Sequence, residues 1–257
     1  MKHVPTILFI FFVLASCKNN NTTSTQDDAS KNAPKATFES VFKTAYGQRV
    51  TNVADTLVLG YYTGMSKSQI TNHTKNLAQS KKLSYKQYKG YVYQMPLTHY
   101  EPTGKETKTY AIRVLTEHYD DTLKTLTLRI SQRDNRKNQT LSTEDLDKNL
   151  GPLFVEKGYL GKTVNHEMSL QSDSTYGLQG AHWKGEEFRY VKNNILIRIW
   201  RGDSWDSYGD VFITYYDMSV LYKEQRAISK KQNDEAKKAA EEDAAREALK
   251  ADYLRDF

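Results

Sequence analysis

The chain has 257 residues, 38% of them hydrophobic, 26% charged and 12% aromatic, with 18 tyrosines and a formal net charge of +6. That balance excludes a disordered or low-complexity chain and fits one soluble core, or two small ones, rich in strand. It also argues against nucleic acid as a partner: no dense basic cluster or recognised nucleic-acid motif occurs, and the stretch 221–257 holds nine Lys/Arg against nine Asp/Glu.

The chain begins with a cationic Lys2, an apolar run from Ile7 to Leu14, and small residues before Cys17. This order is that of a secretory signal, residues 1–16. The run is far shorter than the roughly 20 residues a helix needs to cross a bilayer, so it reads as a transient export segment. Leu14-Ala15-Ser16-Cys17 resembles the lipobox of bacterial lipoproteins. The resemblance implies cleavage before Cys17, a diacylglyceryl group on its thiol, and a membrane as the protein's permanent partner through that lipid. Cys17 is the only cysteine, so the mature domain has no disulfide to form. Each buried methylene contributes about 0.8 kcal/mol, and two or more acyl chains make a stable anchor. In bacterial lipoprotein sorting an Asp directly after the lipidated cysteine favours the inner membrane. Lys18 stands there instead, so the resemblance implies the outer membrane of the cell envelope, facing periplasm or surface.

Residues 17–37 are polar and nearly free of large apolar side chains up to Phe38, too poor in burial to offset ordering. They read as a flexible tether with a root-mean-square span of about 25 Å. The segment 38–217 reads as the folded domain. A strand over Thr56–Tyr62 leads through a Gly64-Met65 turn to Ser66-Lys67-Ser68-Gln69, whose capping-box spacing opens a helix with Ile70, Leu77 and Ala78 on one face. Strands follow at Tyr91–Met95, Thr109–Glu117 and Leu123–Gln132. The last two alternate, Tyr110, Ile112 and Val114 against Arg113, and Leu126, Leu128 and Ile130 against Thr127 and Arg129, with Asp120-Asp121 as the hairpin turn.

The order then recurs from about residue 142. Ser142-Thr143-Glu144-Asp145 opens a helix with Leu146, Leu150, Leu153 and Phe154 on one face, and Gly151-Pro152 is expected to end or kink it. Strands are expected at Gly180–Lys184, Glu187–Val191, Ile195–Arg201 and Asp210–Tyr216, with Lys192-Asn193-Asn194 as a hairpin turn. This is an α+β pattern, two helix-plus-antiparallel-strand units packed as helices on a sheet. Residues 218–257, Glu/Lys/Ala-rich and free of Gly and Pro, read as a long helix, with Asp234 to Lys238 and Glu242 to Arg246 at the favourable acid-before-base spacing. Its apolar positions are mostly alanine, and it reads as a solvated tail or a docking element.

No catalytic residue is assigned. His73, His99, His118, His166 and His182 fall at no metal-binding spacing, and no nucleophile elbow or phosphate-cradling glycine loop occurs, so neither metal nor cofactor is expected. The richest polar segment runs from Trp200 to Asp210. Its Trp200, Arg201, Asp203, Trp205, Asp206 and Tyr208 combine stacking faces with hydrogen-bonding groups, as a sugar ring requires; the same residues also read as a strand tryptophan followed by a backbone-driven turn. Small envelope-assembly lipoproteins are similar in anchor, tether and helix-plus-strand domain. The expectation is a non-enzymatic binding or assembly module of the envelope, with a protein or a glycan as partner.

Overall fold

The computed structural model describes residues 36–47, 55–136, 138, 140–166, 185–202 and 209–255. Cys17, the signal segment and the strand expected at Gly180–Lys184 lie outside the described residues, as do Asp203, Trp205, Asp206 and Tyr208.

The domain is α+β: helices pack on one eight-stranded antiparallel sheet, a larger sheet than three strands per helix would make. The strands are β1 (Ser84–Lys86), β2 (Gly90–Glu101), β3 (Gly104–Tyr119), β4 (Thr122–Ile130), β5 (Leu160–His166), β6 (Gly185–Lys192), β7 (Ile195–Arg201) and β8 (Val211–Asp217). Their order across the sheet is β1-β2-β3-β4-β8-β7-β6-β5. Every connection within β1–β4 and within β5–β8 is therefore to a neighbour, and β4 pairs with β8 at the centre, from Thr125 opposite Tyr216 to Ile130 opposite Val211.

Helix α1 spans Phe38–Gly47, α2 Lys67–Gln79, α3 Thr143–Glu156 and α4 Met218–Arg255. The capping box expected at Ser66 forms, and the helix start expected at Ser142 carries one as well. Ser66 accepts from the backbone of Gln69 and Gln69 reaches back, and Ser142 and Asp145 do the same for α3, satisfying donors that each helix start would otherwise orphan. Their apolar stripes bury Ile70 and Leu77 from α2, and Leu146, Leu150 and Phe154 from α3, against Leu128, Ile130, Ile197, Ile199 and Ile213 on one sheet face. The opposite face holds a smaller cluster, Phe42 and Ala45 of α1 with Val191, Leu196, Met218 and Leu221. Only the base of α4 is held in this way. From Arg226 to Ala251 every side chain is exposed, on a helix of 38 residues, about 57 Å at 1.5 Å per residue.

The hairpin turns match their residues. Asp120 and Asp121 both take positive φ (49° and 59°), which a two-residue turn between twisted strands requires, and Asn193 does so at 51°. The β2–β3 hairpin, turning at Pro102-Thr103 between paired Glu101 and Gly104, has no counterpart in the expected elements; neither have α1, β1 and β5.

Four expectations are corrected. Thr56–Tyr62 is not a strand: Leu59 at φ 57° and Gly60 at φ 78° turn the chain through a short 3-10 turn, leaving only an isolated bridge from Thr56 to Tyr62. Gly151-Pro152 does not end α3, which runs on to Glu156. Proline removes one hydrogen bond there, but the next turn still buries Phe154, and Gly151 is needed for a close approach: a Cβ on it would lie 2.4 Å from the Tyr190 hydroxyl. Leu153 is 50% exposed, one position off the buried stripe. Along α4 the ion pairs formed include Lys231–Glu235, Lys237–Glu241 and Lys238–Glu242, at 3.8–3.9 Å and in the weaker base-before-acid order.

Gly151→Ala should destabilise the domain by about 1–3 kcal/mol through overpacking. Adding Tyr190→Phe, which deletes the hydroxyl that donates to Asp147, should make the pair less damaging than the sum of the singles in denaturant unfolding. Strict additivity would show that the contact is not the cause.

Candidate ligand cleft at the loop end of the sheet

Beyond Arg113, β3 has no β4 residue beside it, because β4 ends at Ile130 opposite Val211 and the chain turns into 131–142. The exposed edge of β3 is instead completed by side-chain amides. Asn135 Oδ1 accepts from the Ala111 backbone N–H at 2.8 Å, and its Nδ2 donates to the carbonyls of Ala111 and Ser131 at 3.0 and 2.9 Å. Asn138 Nδ2 donates to the Thr109 carbonyl at 3.0 Å. An asparagine side chain can act here as a strand does, since it offers an acceptor and donors on one planar group.

Two carboxylates, one within the segment and one outside it, pin it to the sheet. Asp134, with 2% of its side chain exposed, accepts from Arg113 Nε at 2.5 Å and lies 2.7 Å from Lys89 Nζ. Burial pushes its pKa up, but the hydrogen bonds from Arg113 and Lys89 win and hold it below the usual carboxylate value. Asp210, at the end of the 202–210 connection, accepts from Arg129 Nε at 2.6 Å and from the Gln132 backbone N–H at 3.2 Å. Its carbonyl accepts from Gly202 N–H at 2.9 Å, closing the neck of that connection. Gln132 in turn donates to the Thr140 hydroxyl and lies against Gly209, which takes φ +81°.

Between these braced walls is a cleft of about 330 Å³. Tyr110 and Leu141 form part of its lining, Gly209 and Val211 one side, and Gln132, Arg133, Asn135, Arg136, Asn138 and Thr140 the polar wall. Arg133 and Arg136 are exposed, and among the described residues neither meets a carboxylate. Arg201 is exposed at the end of β7, in register with Val211. Of the six residues expected to bind ligand, Trp200 and Arg201 can therefore be placed, and they do not act together. Strand alternation sends Trp200 to the opposite face, where it stacks on Phe212 with ring centroids 4.5 Å apart and donates Nε1–H to the Thr214 hydroxyl at 3.0 Å. Trp200 and Phe212 border a second depression of about 250 Å³ with Thr125, Thr127, Thr214 and Tyr216.

That second face also buries charge. Glu187, fully buried, accepts from Arg189 Nε at 2.7 Å and from Arg198 Nε and Nη2 at 2.5 and 2.9 Å, and Arg198 donates to the Tyr216 hydroxyl at 3.3 Å. His73 and His99 serve structure. His73 bonds the Leu59 carbonyl at 2.9 Å, bracing the 3-10 turn, and His99 bonds the capping carboxylate of Asp145 at 2.7 Å. Burial lowers the pKa of His118, keeping it neutral near pH 7. Among the described residues no group of three or more His, Cys, Asp or Glu is arranged to hold a metal, and no helix is long and apolar enough to cross a membrane.

Arg133, Arg136, Asn135 and Asn138 were absent from the sequence-based candidates. The available signal was Gln132-Arg133-Asp134-Asn135-Arg136-Lys137-Asn138, a cation- and amide-rich turn between a strand and a helix.

Because the folded pKa of Asp134 is depressed, its stabilisation is present above the unfolded value of about 4 and is lost as pH falls through the folded value. Asp134→Asn should therefore lower Tm at pH 7 and flatten the decline in Tm below about pH 5 relative to the parent. Parallel Tm curves for the two proteins would remove Asp134 from the acid response.

Compared with family models, curated proteins and solved structures, the chain matches none.

Proposed function

We propose that the chain is an exported lipoprotein of the cell envelope, lipid-anchored at Cys17, whose α+β domain binds an envelope component without transforming it. The observation that carries the binding reading is the cleft at 131–141 and 209–211. Its wall is braced by Asn135, Asn138, Asp134 and Asp210, while Arg133 and Arg136 are left to meet something outside the fold. Side chains braced in advance lose less freedom on binding, so such a wall converts contacts into affinity efficiently. The anchor reading rests on the order of cationic start, apolar run and Leu14-Ala15-Ser16-Cys17, with the polar stretch 18–37 as tether. Lys18 favours the outer membrane. The exposed length of α4 offers a second surface for a protein partner.

We read the domain further as two units, α2 with β1–β4 and α3 with β5–β8. Each begins on a capping box and runs its strands in sequential order, and the two join across β4 and β8. On that reading the cleft lies at the connection between the units.

The anchor is tested in a bacterial host. The wild-type chain should partition with membranes and give a mature mass beginning at an acylated Cys17, and Cys17→Ser should abolish both. A mature N-terminus elsewhere, or a free thiol on a membrane-bound product, would sink this reading.

A second reading, glycan binding, is favoured by the Trp200–Phe212 stack beside the hydroxyls of Thr125, Thr127 and Thr214, a combination that suits a sugar ring. It moves the glycan site from the 203–208 segment to the sheet face. Trp200→Ala, with the native circular dichroism spectrum retained, should lose capture on a peptidoglycan or polysaccharide matrix. Undiminished capture would exclude this face.

A further inference from the structure

Two cations line the loop-end cleft, Arg133 and Arg136, while Lys89, Arg113 and Arg129 are ion-paired to the carboxylates that brace its wall. The two carboxylates packed there, Asp134 and Asp210, are already committed, Asp134 to Arg113 and Lys89, and Asp210 to Arg129 and the Gln132 N–H. The described residues thus leave Arg133 and Arg136 as an uncompensated pair, three positions apart on one turn and lining the same cleft. Their backbone is held in place, since Asp134 and Asn135 between them are the two most strongly braced side chains of the segment. Thr140, which accepts from Gln132, keeps its own hydroxyl proton to donate into the same space.

We propose that this cleft binds a phosphate group, with Arg133 and Arg136 gripping its oxygens. The proposal rests on the reading of the cleft as the binding site and names the chemistry it takes. A guanidinium presents a rigid fork of N–H donors that matches two oxygens of one phosphate, and a fork stays charged at any physiological pH. Two such forks and a hydroxyl supply more donors than one carboxylate can accept, whereas a phosphate offers three terminal oxygens and close to two charges. A volume of about 330 Å³ holds a phosphate with its first substituent, and the fully buried carbon frame of Tyr110 and Leu141 keeps one side of it dry. The phosphate comes either from a lipid head group or from a soluble phosphate compound.

The test uses the full chain in a neutral detergent and isothermal titration. The probes are inorganic phosphate, pyrophosphate, short-chain phosphatidic acid as the lipid phosphomonoester, and short-chain phosphatidylcholine as its masked counterpart. At least one of the first three should bind, and Arg133→Gln with Arg136→Gln should weaken it at least tenfold. Lys230→Gln with Lys231→Gln, which removes the same charge from the exposed part of α4, should change it less than twofold. Phosphatidic acid binding far above inorganic phosphate assigns a lipid head group, and the reverse assigns a soluble compound; both support the proposal. Equal losses in the two double variants would overturn it as general charge attraction. Binding of a neutral chito-oligosaccharide that Thr140→Ala weakens, with no phosphate probe bound, would overturn phosphate while keeping the cleft. No probe binding at all would overturn both.

Discussion

The pairing of β4 with β8 is the contact on which the rest of the domain depends. Six residues of each strand, Thr125–Ile130 and Val211–Tyr216, lie side by side in the middle of the sheet. Before that pairing, β1–β4 and β5–β8 are two meanders with open edges; after it they share a single hydrophobic face, and α2 and α3 bury their stripes in one core. Leu126, Leu128, Ile213 and Tyr215 are buried along the seam, each contributing on the order of 2 kcal/mol of removed apolar surface. The register of the seam is tightly set, because a slip of one residue would turn Thr125, Thr127 and Arg129 into that core.

The seam also determines where the cleft is. β8 begins at Val211 opposite the last residue of β4, so the connections leaving both strands emerge at the same end. The Arg129–Asp210 pair spans the seam at that end, and Asp210 then reaches Gln132 on the outgoing chain. The polar wall is thereby attached to the rigid centre of the sheet rather than to an edge. On the other face the neighbouring strands β6 and β7 carry a different cost. Glu187, Arg189 and Arg198 are buried charges whose desolvation is offset only while all three stay together, since removing one partner leaves a charge without compensation. That requirement rigidifies β6 and β7 beside Trp200, and both arginines earn their burial through geometry rather than apolar area.

Much of this architecture was legible because its signals are local. The capping box at Ser66, the helix start at Ser142, the alternation in 109–117 and 123–130, and the turn residues Asp120-Asp121 and Asn193-Asn194 each act within a few residues, and each is found where the pattern points. Features that depend on distant partners were not legible. Nothing in Gly151-Pro152 announces that Tyr190, 39 positions later, requires a glycine there and that the helix continues past it. Thr56–Tyr62 has strand composition, but the positive φ of Leu59 is a tertiary choice, supported by His73 on the Leu59 carbonyl. The cleft was illegible for the same reason. Asn135 and Asn138 look like ordinary turn residues until they are seen completing the edge of β3 at Ala111 and Thr109. Trp200 and Arg201 read as one constellation along the chain, yet period-two alternation sends adjacent strand residues to opposite faces.

If Cys17 is lipidated and the cleft takes a phosphate, the two features reinforce each other through concentration rather than through contact. On that reading a flexible chain of the length of 18–37 would have a root-mean-square span of about 25 Å. At that range a membrane-borne ligand is presented at an effective concentration in the millimolar regime. A pair of exposed guanidiniums that binds a soluble phosphate measurably would then hold a membrane-borne one strongly enough to orient the domain. Orientation matters because α4 extends about 57 Å with its charges balanced, so its surface carries no net attraction of its own. Its direction would be set by the end of the sheet that is held, and residues 36–220, the part that does the holding, carry 24 Lys/Arg against 20 Asp/Glu.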